Sequence, residues 1–277
     1  MEHSEGSFQG FGAVSLFYQR WHPEKKPKAV LAIVHGFGEH SGRYMNVVEY
    51  FVPRKYAVYG FDQRGHGRSP GQRGYINSIG EFRGDVAAFV QMVARQEPEI
   101  PIFLWAHSMG GLIGLDYILH YPEGLRGAII SAPSLNPAGV AKPYVVTLTR
   151  ILSRLWPTIS IEVGLDPSTL ARNPAVGKAY REDPLVQGKA GVRLGTELQS
   201  AADWTKVHAA DIRIPLLMIH GEADAIGTAS DTRSFFEQVT FDDKELKIYP
   251  GGYHEPHNDI EYEQVVKDVE GWIKRHH

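Results

Sequence analysis

Residues 102–111 read Ile102-Phe103-Leu104-Trp105-Ala106-His107-Ser108-Met109-Gly110-Gly111. Four large apolar residues in a row suit a short strand buried on both faces. The stretch that follows at once, 109–120 (MGGLIGLDYILH), carries helical periodicity. A strand that bends into a helix this abruptly strains the backbone of the residue at the corner and lifts its side chain above the sheet. Small residues two before and two after the corner leave room for the bend, and here they are Ala106 and Gly110. Ser108 would also suit a plain helix N-cap. The strand before it and the glycine pair after it make the sharp corner the better reading, although Ala106 stands where the usual pattern has Gly.

Outward from this corner the chain repeats one rhythm. Short apolar runs at 28–34 (KAVLAIV), 56–61 (YAVYGF), 126–131 (RGAIIS), 215–220 (PLLMIH) and 245–249 (ELKIY) read as strands. Helical spacing falls at 44–52, 81–95, 109–120 and 262–274. Strands alternating with helices predict an α/β fold, with a mostly parallel sheet covered on both faces. Residues 8–11 and 14–21 sit about Gly12 with no room for a crossover helix, so an antiparallel hairpin at the sheet edge is expected. Between 133 and 210 the rhythm stops. Residues 144–156 (YVVTLTRILSRLW) are apolar with basic interruptions, and 171–198 are polar with Pro174 and Pro184. An interval this long is not a plain loop. One compact domain is expected, its core formed by 1–132 and 211–277 and its insertion by 133–210.

Composition removes several function classes. A net charge of −3 with Lys and Arg scattered along the chain speaks against nucleic acid as a partner. The absence of cysteine excludes disulfides, thiol catalysis and Cys-ligated zinc together. No apolar run reaches the length of a membrane span, and the first ten residues carry Glu2 and Glu5 rather than a basic, then apolar, leader. A soluble cytoplasmic protein with no obligate protein partner is the expectation.

A serine at such a corner needs a base to take its proton and an acid to orient the base. Both follow in the order acid, then histidine. Gly221-Glu222-Ala223-Asp224 comes after the strand at 215–220, and Gly251-Gly252-Tyr253-His254 after the last strand. Catalytic groups in open α/β sheets gather at the carboxyl ends of strands, so Ser108, Asp224 and His254 are brought to one rim. Glu222 is the rival acid, and an isolated Asp here would be read as a turn former. His254-Glu255-Pro256-His257 invites a metal reading, but paired zinc histidines need a helix, which Pro256 breaks. No metal or cofactor is expected. The oxyanion donors are predicted to be the backbone N–H of Met109, at a helix N-terminus, and that of Phe37 in the loop His35-Gly36-Phe37-Gly38. His35 and the turn Asp62-Gln63-Arg64-Gly65-His66 are read as structural bracing.

Taken together, HGFGEHSGRY (35–44), FDQRGHGRSPG (61–71), HSMGG (107–111), GEAD (221–224) and YPGGYHEPHND (249–259) closely resemble the monoacylglycerol lipase family of α/β-hydrolases. The resemblance runs from about residue 11 to 272 and includes RNPAVGKAYREDPLV (172–186), similar to that family's cap segment. It implies an eight-stranded sheet under a helical cap, and hydrolysis of the single acyl ester of a glycerol. It assigns Ser108, Asp224 and His254 to the triad and Phe37 and Met109 to the oxyanion hole. It further implies that Glu39, Arg43 and His257 stand near the glycerol end, although capping or ion pairing explains Glu39 and Arg43 nearly as well.

Within 144–156, Val145, Leu148, Ile151, Leu152 and Leu155 are expected on one face of a helix that either lines an acyl tunnel or packs on the core. The same face, where exposed, would touch a lipid surface. Lysophospholipase, carboxylesterase and thioesterase activities remain rivals that use the same triad. A small-molecule receptor on this fold is the rival of another class.

Overall fold

The described part of the computed structural model comprises residues 1–137, 149 and 151–277. Every residue of Ala29–Val34 (β3), Tyr56–Phe61 (β4), Ile102–His107 (β5), Gly127–Ser131 (β6) and Leu216–Gly221 (β9) is buried. Such strands have no solvent face, so helices must cover both sides of their sheet. Along β3, Val30, Ala32 and Val34 enter one core while Ala29, Leu31 and Ile33 enter the other. The first core takes Phe82 and Phe89 from helix α2 (Ile79–Gln96) and Leu112 and Leu115 from α3 (Met109–His120). The second takes Val47 and Phe51 from α1 (Met45–Phe51) and Val265, Val269 and Trp272 from α7 (Tyr262–His276).

With β1 (Glu2–Gln9), β2 (Ser15–His22) and β10 (Lys244–Tyr249) these strands form an eight-stranded sheet in the order β1-β2-β4-β3-β5-β6-β9-β10. The strands from β4 to β10 pair parallel, and β1 and β2 join antiparallel at one edge. The expected sheet is present. Registers such as Val34↔Ala106, His107↔Ser131, Ser131↔Ile219 and Tyr249↔Gly221 align the carboxyl ends of the strands. The loops beginning at His35, Ser108, Glu222 and Pro250 therefore leave a common rim.

The edge hairpin differs in extent from its expectation. β1 already begins at Glu2 and pairs from Glu2↔His22 to Gln9↔Ser15, with Gly12 at φ 67° in the connection. Its sequence EHSEGSFQ buries only Phe8, so it lacks the apolar alternation that marks a strand. Helix α6 (Ala229–Gln238) has the same weakness. It buries Ala229, Thr232 and Phe235 alone, and Thr228 caps it by accepting from the Asp231 N–H.

Between β6 and β9 the described residues add nothing to the main sheet. Residues 151–155 are helical, Ser160–Glu162 (β7) pairs antiparallel with Lys189–Gly191 (β8), and α4 (Pro174–Glu182) and α5 (Val192–Val207) complete the interval. Asn173 caps α4 through the Ala175 N–H, with Pro174 in the first turn where its missing N–H costs nothing. Helix α5 lies against α3, burying Leu194, Leu198, Ala201 and Ala202 in the first core. Among the described residues no helix is long and apolar enough to cross a membrane.

Candidate active site

Ser108 has φ 56° and ψ −120°, a region that L-residues avoid, as the sharp corner requires. The bend holds because its neighbours are small. A Cβ on Gly110 would collide with the carbonyl oxygens of Val34 and His35, so only glycine lets α3 start this close to the end of β3. Ala106 is accommodated from across the elbow. A Cβ on Gly114 would lie 2.7 Å from the Ala106 Cβ, so glycine at 114 supplies the space that glycine at 106 would otherwise leave.

The three residues drawn from separate loops meet. The Ser108 hydroxyl donates to His254 Nε2 over 2.9 Å, and His254 Nδ1–H donates to Asp224 Oδ2 over 2.7 Å. Asp224 Oδ1 accepts from the N–H groups of Ile226 and Gly227 at 2.8 and 3.1 Å. Burial opposes the charge on Asp224, yet hydrogen bonds from His220 and His254 hold its carboxyl well below the usual carboxylate range. Glu222 is exposed and, among the described residues, accepts only from the Gly251 N–H at 3.4 Å, so it stands apart from these hydrogen bonds.

Gly36 lies against the nucleophile, where an added Cβ would come within 3.1 Å of the Ser108 Cβ. Phe37 and Met109, the expected oxyanion donors, border the same cavity as Ser108 and His254. The Gly36 N–H donates to Glu39 Oε1 over 2.6 Å, which sets the path of this loop. Behind it His35 is fully buried, donating from Nδ1 to the Gly36 carbonyl and accepting at Nε2 from the Gln63 N–H. Burial lowers His35 to about 4 and His66 to about 3. Asp62 accepts from the Ser41 hydroxyl and the Arg68 N–H, and Arg64 grips Asp85, as a bracing turn should.

Glu39 and Arg43 belong to a buried ionic cluster. Arg43 donates to Glu39 Oε2 at 2.8 Å and to both oxygens of Glu255 at 2.7 and 3.0 Å, and its guanidinium lies over the Tyr180 ring of α4. Although burial opposes ionisation, Arg43 brings Glu255 down to about 2. Glu255 directly follows His254, and nothing in its local sequence names this partner 212 residues away. His257 is stacked on Tyr44, with ring centroids 4.7 Å apart, and does not border the cavity.

That cavity, of about 580 Å³, runs from Ser108 to Leu135, Leu170, Val192, Leu194, Leu198 and Ile226. Most of these come from the interval 133–210, and Val192, Leu194 and Leu198 lie in the stretch 171–198 that the sequence reading treats as polar. The spacing of Leu194, Leu198, Ala201 and Thr205 on α5 was the available signal. Ile151 is half exposed, Leu152 is partly buried, and neither borders the cavity. Val145 and Leu148 lie outside the described residues.

Two cross-links tie residues 180–187 to the loop after β3. His40 Nε2 is 2.8 Å from Asp183 Oδ2, and the Gln187 N–H donates to the Gly38 carbonyl over 2.9 Å. On the other flank, the Glu255 N–H donates to the Leu170 carbonyl over 2.8 Å. The covering segment thus grips both the Gly36–Phe37 loop and the histidine loop.

This sheet with this rim defines an α/β-hydrolase. A family model described as "Serine aminopeptidase, S33" (Hydrolase_4) matches residues 25–261. The chain is 36% identical over 274 residues to the monoacylglycerol lipase of Mycolicibacterium smegmatis, covering 99% of this chain and 98% of that one. It is 30% identical to the human monoglyceride lipase, covering 94% of this chain and 87% of the human protein. Among solved structures, the monoacylglycerol lipase of Paleococcus ferrophilus superposes with a TM-score of 0.86 at 32% identity, covering 95% of this chain and 99% of that one. The chain belongs to this hydrolase family, within its monoacylglycerol lipase branch, as the motifs led us to expect.

Proposed function

We propose that this enzyme hydrolyses monoacylglycerols to glycerol and free fatty acid, with Ser108 as nucleophile, His254 as base and Asp224 as the acid that orients it. The observation that carries this reading is the unbroken Ser108–His254–Asp224 hydrogen-bond chain opening into an apolar cavity. His254 takes the Ser108 proton as Oγ attacks the ester carbonyl, and Asp224 stabilises the imidazolium that forms. The N–H groups of Phe37 and Met109 receive the oxyanion. Collapse of the tetrahedral intermediate expels glycerol, which takes the proton from His254 and leaves the acyl chain on Ser108. Water, activated by the same histidine, then releases the fatty acid.

In this reading the acyl chain lies against Leu135, Leu170, Val192, Leu194 and Leu198, and the alcohol faces Arg43 and Glu39. Among the described residues Arg43 shares three hydrogen bonds, with Glu39 and Glu255, which leaves guanidinium N–H donors for hydroxyl groups. Two carboxylates against one guanidinium make this end unwelcoming to the phosphate of a lysophospholipid. The same carboxylates are occupied by Arg43, Tyr44, Asn258 and the Gly36 N–H, so neither is free to receive the ammonium of an aminopeptidase substrate.

The exposed Ile151, Leu155, Trp156, Ile159, Ile161 and Val163, each at least 43% accessible, support contact of residues 151–163 with a lipid surface. A cytoplasmic enzyme that visits membranes peripherally completes the reading. The test is fatty-acid release from monoacylglycerols beside di- and triacylglycerols, a lysophospholipid, an acyl thioester and an aminoacyl arylamide. Preference for monoacylglycerol with many turnovers per enzyme supports the reading. Preference for another substrate overturns its specificity, and a single turnover favours a receptor.

A further inference from the structure

His220, the penultimate residue of β9, is fully buried and has no part in the mechanism above. Its ring bridges helix α6 and Asp224. Nδ1 is 2.8 Å from the Thr232 hydroxyl, while Nε2 is 2.9 Å from Asp224 Oδ2 and 3.1 Å from the Gly227 carbonyl. Facing two acceptors, Nε2 must carry a proton. The oxygen it meets is the one that also receives His254 Nδ1 at 2.7 Å. Two imidazoles therefore donate to a single carboxylate oxygen, and backbone N–H groups occupy the other.

We propose that His220 is a positioning residue, whose Nε2–H, oriented by the Thr232 hydroxyl, fixes Asp224 Oδ2 and sets how strongly that oxygen holds protonated His254. The inference rests on the triad reading. A donor on Oδ2 withdraws part of its charge. Without that donor, Asp224 offers more charge to its remaining partner, protonated His254 is stabilised, and the base is occupied by a proton at higher pH. Asp224 also loses the contact that limits rotation of its carboxylate.

Other groups around His254 leave this effect legible. Ser108 and Asp224 touch it, the His107 ring is 5.0 Å away, and His257 stands 4.9 Å beyond His107. Burial keeps His107 and His257 below the usual histidine range. Farther out, Arg43 and Glu255 remain a charged pair throughout the neutral range.

The test compares His220→Phe with His220→Gln, whose side-chain nitrogen sits where Nε2 sits. His220→Phe is expected to lower kcat/KM by about tenfold or more, the rate equivalent of one charge-assisted hydrogen bond. The acid limb of its pH profile should rise by roughly half to one unit. His220→Gln should restore both. An unmoved acid limb in a folded His220→Phe, or a glutamine variant no better than phenylalanine, overturns the proposal. Nitrogen-15 spectra of histidine-labelled wild type give a reading that needs no substitution: a proton on Nε2 of His220 is expected, and one on Nδ1 alone overturns it. Ser108→Ala run alongside separates the two failures. Activity surviving in Ser108→Ala breaks the triad reading, whereas its loss beside an unmoved His220→Phe profile breaks only this inference.

Discussion

The Arg43 guanidinium and the Glu255 carboxylate form a two-pronged ion pair, at 2.7 and 3.0 Å, that ties the loop after β3 to the residue following His254. Because Arg43 also holds Glu39, and Glu39 holds the Gly36 N–H, one guanidinium links both loops that flank Ser108. A buried pair of this kind adds little over an apolar replacement of both partners, but removal of one partner strands the other.

Arg43→Met is accordingly expected to destabilise the fold by about 3–5 kcal/mol, read as a shift of the denaturant midpoint. Arg43→Lys keeps the charge but not the fork, so its loss should be intermediate. A stability equal to wild type in Arg43→Met would show that the cluster is not under the constraint described.

Stability should fall as pH drops below the range of free histidine. His35 and His66 are held neutral by burial, at about 4 and about 3. The unfolded chain takes up these protons from about pH 6.5 downward, and the native fold resists until its own lower values. Their contribution is thus complete above that pH and is lost as pH falls through the window. His66→Asn keeps a donor for the Arg64 carbonyl and removes the titration. Its stability curve should be flatter between about pH 6 and 4 by up to about 1.4 kcal/mol per pH unit. Parallel curves would contradict the assignment.

The Ala106–Gly114 contact predicts a compensating pair. Gly114→Ala should cost about 1–3 kcal/mol by overpacking the elbow. Ala106→Gly in the same chain should recover part of that cost, and a double-mutant cycle measures the coupling. Additive effects would show that the two positions do not share space.

Asp183→Ala removes the 2.8 Å link to His40 and frees one anchor of the Gly36–Phe37 loop. We expect kcat to fall by a few-fold, with faster proteolysis between residues 183 and 189. Unchanged turnover and unchanged cleavage would mean that the link is not needed to hold the loop.

What was legible in the sequence depended on how locally each feature is encoded. The turn at Ser108 announces itself through a buried strand, a serine and two glycines, and Asp224 and His254 each follow a recognisable strand end. The reach of β1 back to Glu2 and the whole of α6 escaped because an edge strand with one buried residue and a helix with three carry no periodic apolar signal. Nothing in the sequence around Glu255 and Asp183 marks their roles, since their partners are more than 140 residues distant. The described cavity lining includes Thr149 from the stretch 144–156 and, beyond it, Val192, Leu194 and Leu198 on α5, whose apolar stripe is interrupted by polar residues facing water and so is hard to see in the sequence.

The measurement closest to the central claim is fatty-acid release from a monoacylglycerol by wild type and by Ser108→Ala, with the variant's fold checked by its thermal transition. Loss of a catalytic serine of this kind typically removes on the order of 10⁶ in kcat. We predict multiple-turnover release by wild type and no release above background by Ser108→Ala. A folded Ser108→Ala that still releases fatty acid at the wild-type rate would contradict the account.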